Sequence, residues 1–120
     1  MNSFQLRTTK LLMSIGVNPG LLGYKYIGKA LEKAYEDDNI LHSMTKELYP
    51  FVARAYDSTP SRVERAIRHA IEQAFDRMHA DTVDKYFGSV VEFDSGKVTN
   101  TTFLACLVEH LRMEELEEKQ

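Results

Sequence analysis

The feature that most constrains this chain is residues 59–75, TPSRVERAIRHAIEQAF. Val63, Ala66, Ile67, Ala70, Ile71, Ala74 and Phe75 recur at steps of three and four, which places them on one buried stripe of an α-helix. The opposite face carries Ser61, Arg62, Glu64, Arg65, Arg68, His69 and Glu72. Thr59 is suited to the N-cap, and Pro60 to the first helical position, where its missing N–H costs nothing. Ser61 and Glu64 also have capping-box spacing. Either start puts Arg62, Glu64 and Arg65 in the opening turns.

What precedes this helix suggests its use. In residues 49–66, YPFVARAYDSTPSRVERA, small Ala53 sits mid-helix, Asp57 follows at the bend, and Val63 lies six residues beyond. A close helix crossing needs a small residue at the approach, a residue tolerant of left-handed φ at the turn, and an aliphatic residue closing the corner. These residues predict a helix-turn-helix, with a plain pair of packed core helices as the alternative. In a helix-turn-helix, base edges are read mainly by the N-terminal part of the second helix. Arginine occupies positions 62, 65 and 68, where lysine would solvate equally well. Its planar fork meets guanine O6 and N7 in a bidentate manner, and a glutamate can accept from cytosine N4, so Arg62, Glu64 and Arg65 suit a G/C-containing element. The competing account is a solvated face, with Arg68 and Glu72 at i, i+4 spacing in the less favourable orientation.

At 120 residues one domain is expected, burying about 65% of the surface its unfolded chain exposes. The single cysteine, Cys106, excludes an internal disulfide and sits among Phe103, Leu104, Leu107 and Leu111, which favours core packing over a nucleophilic role. No apolar run approaches the about 18 residues of a membrane span, and no signal-peptide pattern opens the chain. A cytoplasmic location is the expectation. The net charge of −3 argues against nucleic-acid binding, but its location matters. Residues 109–120 hold five Glu against one Arg and one Lys, so the rest of the chain is balanced.

Taken in order, residues 1–5 read as a disordered start and residues 6–15 as a short helix ended by Gly16. Asn18 and Pro19 suit the cap and first residue of a second helix, with Leu22, Tyr26, Ile27, Ala30, Leu31 and Ala34 as its stripe. Tyr24, Lys25, Lys29 and Lys33 lie mostly off it, on a solvated face. Thr45 can cap the next helix, which Pro50 would bend on its way to Tyr56. Lys46 would then stand near an N-terminus, where its amine and free N–H groups could meet a phosphate; Thr59 is the other phosphate candidate. The long helix should run out near Arg77 or Met78. Asp81 or Thr82 would cap a short helix ended by Gly88. Residues 90–98 read as loop rather than hairpin, since two lone strands are barely stable. Asn100 would cap a last helix that dissolves into an acidic tail at residues 114–120. The fold class is therefore all-α, about six helices in a compact bundle, the third and fourth forming the helix-turn-helix.

Catalysis lacks convergent groups. His69 and Glu72 have a spacing that di-metal bundles use, but no matching carboxylates accompany them. His42, His79 and His110 have no repeated ligand spacing, and the acidic turn at residues 36–39 lacks the alternating ligands of a calcium loop. No phosphate-binding glycine motif or nucleophile elbow is present. Neither an enzymatic activity, a metal nor a cofactor is expected.

The run SRVERAIRHAIE, with TKELYP before it and Phe87–Gly88 after it, resembles the C-terminal effector domains of the stage-zero sporulation response regulators, transcription factors of spore-forming bacteria, over residues 8–112 or so. The resemblance implies specific binding to double-stranded DNA at a short asymmetric promoter box close to TGTCGAA, often in tandem copies. It carries base or adjacent backbone contacts onto Arg62, Glu64, Arg65 and Arg68, with Ser61 and His69 flanking. It also implies contact of the region after the recognition helix with the RNA polymerase sigma subunit, here Thr82, Asp84, Phe87 and Val91. The family's phosphoacceptor receiver pattern does not occur in these residues, so the chain is read as a fragment or free-standing effector, a monomer that pairs on adjacent DNA sites. The rival reading is a protein-interaction module whose Arg-rich face binds an acidic partner.

Overall fold

The computed structural model describes residues 1–91 and 98–119. The described residues form six α-helices and no strand: α1 (Ser3–Ile15), α2 (Leu22–Glu36), α3 (Tyr49–Ala55), α4 (Pro60–Arg77), α5 (Ala80–Tyr86) and α6 (Asn100–Glu118). A 3-10 turn (Asp38–His42) and a π-helical turn (Met44–Leu48) join α2 to α3, and a second 3-10 turn (Gly88–Val90) follows α5. Helix α2 is central, packing against α1, α3, α4 and α6. Its fully buried stripe of Ile27, Ala30, Leu31 and Ala34 meets Val63, Ile67 and Ala70 of α4 and Phe103, Leu104, Leu107 and Leu111 of α6 in one core.

The approach of α2 to α4 depends on Gly23. A methyl group there would lie 2.1 Å from the Ala66 carbonyl oxygen and 2.8 Å from the Ala70 methyl. The two backbones therefore pack directly, as close helix crossings with a small residue at the contact do. This contact fixes α4 at the turn that holds Arg65 and Ile67.

Several boundaries differ from the sequence expectation, each for a local reason. Helix α1 begins at Ser3, because Asn2 and Gln5 form a reciprocal capping box: the Asn2 side chain accepts from the Gln5 N–H at 2.8 Å, and Gln5 Oε1 accepts from the Asn2 N–H at 3.0 Å. Asn18 does not cap α2. Its side chain accepts from the Gly20 N–H at 2.8 Å, closing a turn through Pro19, and the helix starts after Leu21. Pro50 does not bend an established helix but lies in the first turn of α3. With no N–H to extend the ladder backward, it leaves the preceding residues in a π turn closed by the Tyr49 N–H to the Met44 carbonyl.

Helix α6 is capped by Thr99, whose side chain accepts from the Thr102 N–H at 3.1 Å; Asn100 is its first residue. At its other end α6 continues to Glu118 instead of dissolving. Tyr35 donates to Glu115, while Arg112 lies over the Tyr35 ring, donates to the Tyr35 carbonyl at 3.0 Å and pairs with Asp38 at 3.3 Å. Of the loop expected over residues 90–98, Val90 closes the second 3-10 turn and residues 92–97 lie outside the described residues.

Candidate nucleic-acid interface

Helices α3 and α4 are joined by residues 56–59, and the connection has the parts that the sequence promised. Asp57 has φ 52°, the one non-glycine among the described residues with positive φ. The Ser58 N–H donates to the Ala53 carbonyl at 2.9 Å, the long return bond of a left-handed helix C-terminus. Ala53 and Val63 are both buried at the corner. Thr59, in the extended region, accepts from the Arg62 N–H at 3.2 Å and Pro60 follows it, so the first of the two predicted starts is the real one. Because its oxygen does the capping, the Thr59 hydroxyl proton remains available to a phosphate.

This start sets the exposed face of α4. Ser61, Arg62, Arg65, Arg68 and His69 are exposed, and Glu64 and Glu72 are half-buried. Arg68 lies between the two carboxylates: its Nε is 3.0 Å from Glu64 and its Nη1 is 3.8 Å from Glu72. The tighter contact is to Glu64, with the acid N-terminal to the base, the better orientation along a helix. The hydrogen bond from Arg68 to Glu64, reinforced by the Glu64 charge, raises the Arg68 pKa further above its ordinary value. Among the described residues neither Arg62 nor Arg65 forms an ion pair. The face thus offers two uncommitted guanidiniums in its first two turns and a preformed Glu64–Arg68–Glu72 ladder beyond them. The sequence signal for the tighter pair is the i, i+4 spacing of Glu64 and Arg68, in the better orientation than that of Arg68 and Glu72.

Asn100, marked in the sequence only as a helix cap, also belongs to this region. The Asn100 amide donates to the Tyr49 hydroxyl at 3.0 Å and to the Glu64 carbonyl at 3.3 Å, tying the first residues of α3 and α6 to the N-terminal turns of α4. Burial raises the Tyr49 pKa, and the hydrogen bond from Asn100 opposes it. Lys46 is exposed on the π turn before α3, on an element separate from the α4 face.

The region after α4 is different in kind. Asp84 is exposed and Thr82 and Val91 are half-buried. Phe87 is buried, stacked on Phe103 at 5.4 Å and tilted against Phe75 at 5.0 Å, so its ring supports this surface from beneath. Cys106 is only half-buried, and that burial pushes its thiol pKa up, away from nucleophilic character. Among the described residues no group of three or more His, Cys, Asp or Glu is placed to hold a metal ion, and no helix is long and apolar enough to cross a membrane.

Residues 8–111 match the family described as sporulation initiation factor Spo0A, C terminal. The chain belongs to the Spo0A C-terminal family. The match runs from the first turns of α1 to Leu111 of α6 and includes every residue of the α3–turn–α4 unit. This is a family of DNA-binding regulatory domains, the effector part of a sporulation response regulator, and not a family of enzymes. Membership gives the domain a class of ligand, DNA, that charge alone leaves open.

Proposed function

We propose that α4 lies in the major groove and reads a short G/C-containing promoter box close to TGTCGAA. Arg62 and Arg65 would address guanine, and Glu64 would accept from cytosine. Arg68 and His69 continue the contact surface toward bases or the adjacent backbone, Ser61 flanks it, and Lys46 and the Thr59 hydroxyl meet phosphates. The observation that carries this reading is the pair of exposed, uncommitted guanidiniums in the opening turns of a helix that follows a left-handed turn. Base readers of the helix-turn-helix class place their contacts there.

On the same reading Thr82, Asp84 and Val91, with Phe87 beneath them, form the surface for the RNA polymerase sigma subunit. The domain is a monomer alone and pairs on tandem sites. The function is activation or repression of transcription in the sporulation programme. Binding titrations on box-bearing and random duplexes over a range of salt test the reading. The chain should prefer the box, and Arg62→Ala or Arg65→Ala should each cost about 1–3 kcal/mol on the box with less effect on random DNA. Equal binding to both duplexes, or tight binding to an acidic protein surface with no salt-dependent DNA binding, would point instead to an interaction module.

A further inference from the structure

We infer that Asn100 is a positioning residue for Glu64, holding the base-reading turn of α4 in register through its backbone; the inference rests on the reading above. Thr99 already caps α6, so the Asn100 amide is not needed at its own helix end. It points instead across two neighbours. Its nitrogen has two hydrogens, and two acceptors lie within reach, the Tyr49 hydroxyl at 3.0 Å and the Glu64 carbonyl at 3.3 Å. A helical carbonyl such as that of Glu64 already receives one bond from within its helix, and its second lone pair can take this one.

The consequence is directional. Apolar packing and the Gly23 contact at Ala66 hold the buried stripe of α4 but leave its first turns free to roll by fractions of an ångström. A bond to one named carbonyl removes that freedom at one turn. The turn is the one that carries Glu64, whose side chain Arg68 fixes from the other side at 3.0 Å. Glu64 is thus held at both backbone and carboxylate, as a group must be if it is to accept from one base edge and refuse another. A rim charge that merely attracts phosphates needs no such restraint. Tyr49 completes the arrangement: its ring is buried between α3 and the core, so the hydroxyl is a fixed anchor for the amide.

The test is a double-mutant cycle on the 120-residue chain, with box-bearing and random duplexes. Asn100→Ala should weaken box binding by about tenfold, within the range set by losing two hydrogen bonds, while random-duplex binding stays within about twofold. In a Glu64→Ala background, where the residue 64 carbonyl persists but the carboxylate is gone, Asn100→Ala should have almost no further effect on the box. Tyr49→Phe, which removes the other anchor without opening a cavity, should show a smaller loss of the same kind. All measurements are made below the melting temperature of each variant. Parallel loss on both duplexes, an undiminished Asn100→Ala effect in the Glu64→Ala background, or no effect of Asn100→Ala at all would overturn the assignment. A parent chain with no box preference, registered separately by an Arg62→Ala control without effect, would defeat the reading and this inference with it.

Discussion

Replacing Gly23 with alanine should destabilise the domain, whereas the same replacement at Gly28 in the same helix should stabilise it. The added Cβ at Gly23 would sit 2.1 Å from the Ala66 oxygen and 2.8 Å from the Ala66 carbonyl carbon and Ala70 methyl. Carbon and oxygen need about 3.3 Å, so α2 and α4 would have to separate by about 1 Å. None of the obstructing atoms belongs to a flexible side chain that could turn away. Overpacking of this kind costs about 1–3 kcal/mol or more, and the better helix propensity of alanine returns at most about 1. With an overlap to 2.1 Å placing the cost at the upper end of that range, the net loss is about 2 kcal/mol. At Gly28 nothing lies within 4 Å of the added carbon, so only the propensity gain of about 0.5–1 kcal/mol remains. At roughly 4 °C per kcal/mol for a domain of this length, thermal melts followed by circular dichroism should separate the two variants by about 10 °C, with urea midpoints moving in the same order. Gly23→Ala should also weaken box binding, since the displaced turn carries Arg65. Melting temperatures that rise together would refute the direct backbone packing of α2 on α4.

Three further outcomes follow from the same geometry. Because Asp57 is held at φ 52°, Asp57→Gly should leave urea stability unchanged or raise it by up to about 1 kcal/mol, and Asp57→Val should lower it by about 1–2; a neutral valine would mean that the turn is not needed. Thr59→Ala should cost about 1 kcal/mol in the same assay, and Thr59→Ser should be near neutral, since only the hydroxyl caps the Arg62 N–H. Tyr49 and Cys106 both have raised pKa values in the folded state, chiefly from burial. The unfolded chain therefore loses those protons first, so their contribution is full below the ordinary values of 9.0 for the thiol and 10.0 for the phenol and is lost as pH climbs past them. Urea midpoints measured from neutral to alkaline pH should fall above that range, less steeply for Tyr49→Phe and Cys106→Ala.

Helix α4 was legible because its determinants are local and agree with one another. A three–four stripe, a Thr–Pro start and an Asp at the bend each specify the same geometry, and the structure uses all three. The helix ends that went unread are those where two neighbouring residues compete for one role. Thr99 and Asn100 both cap well in isolation, and the choice falls to Thr99 because the Asn100 amide finds Tyr49 and Glu64, 51 and 36 residues away in sequence. Asn18 before Pro19 has the spelling of a cap but closes a turn on Gly20. The last turns of α6 read as tail because their stabilising partners, Tyr35 and Asp38, come from the far side of the chain. Gly23 belongs with these: in sequence it is a weak point of a helix, and only α4 across from it makes it a requirement.

How a chain of net charge −3 binds a polyanion follows from where its acids are. On α4 itself Glu64 and Glu72 take up the charge of Arg68, which leaves Arg62 and Arg65 as the free cations of that face. The other large acidic group is at the end of α6, where Glu115 is engaged with Tyr35 and Lys119. Among the described residues the unpaired cations proposed to meet DNA are then few, Arg62 and Arg65 on α4 and Lys46 before α3. At roughly 0.9 per contact, Arg62, Arg65 and Lys46 give a log–log salt slope on the order of 2–4 for random DNA, shallower than that of strongly basic readers. On the proposed reading, weak nonspecific attraction makes box preference depend on geometry: a misplaced α4 would have little electrostatic affinity to fall back on. Two devices in its first turns, the bare Gly23 contact at Ala66 and the Asn100 bond at Glu64, place the backbone on either side of Arg65.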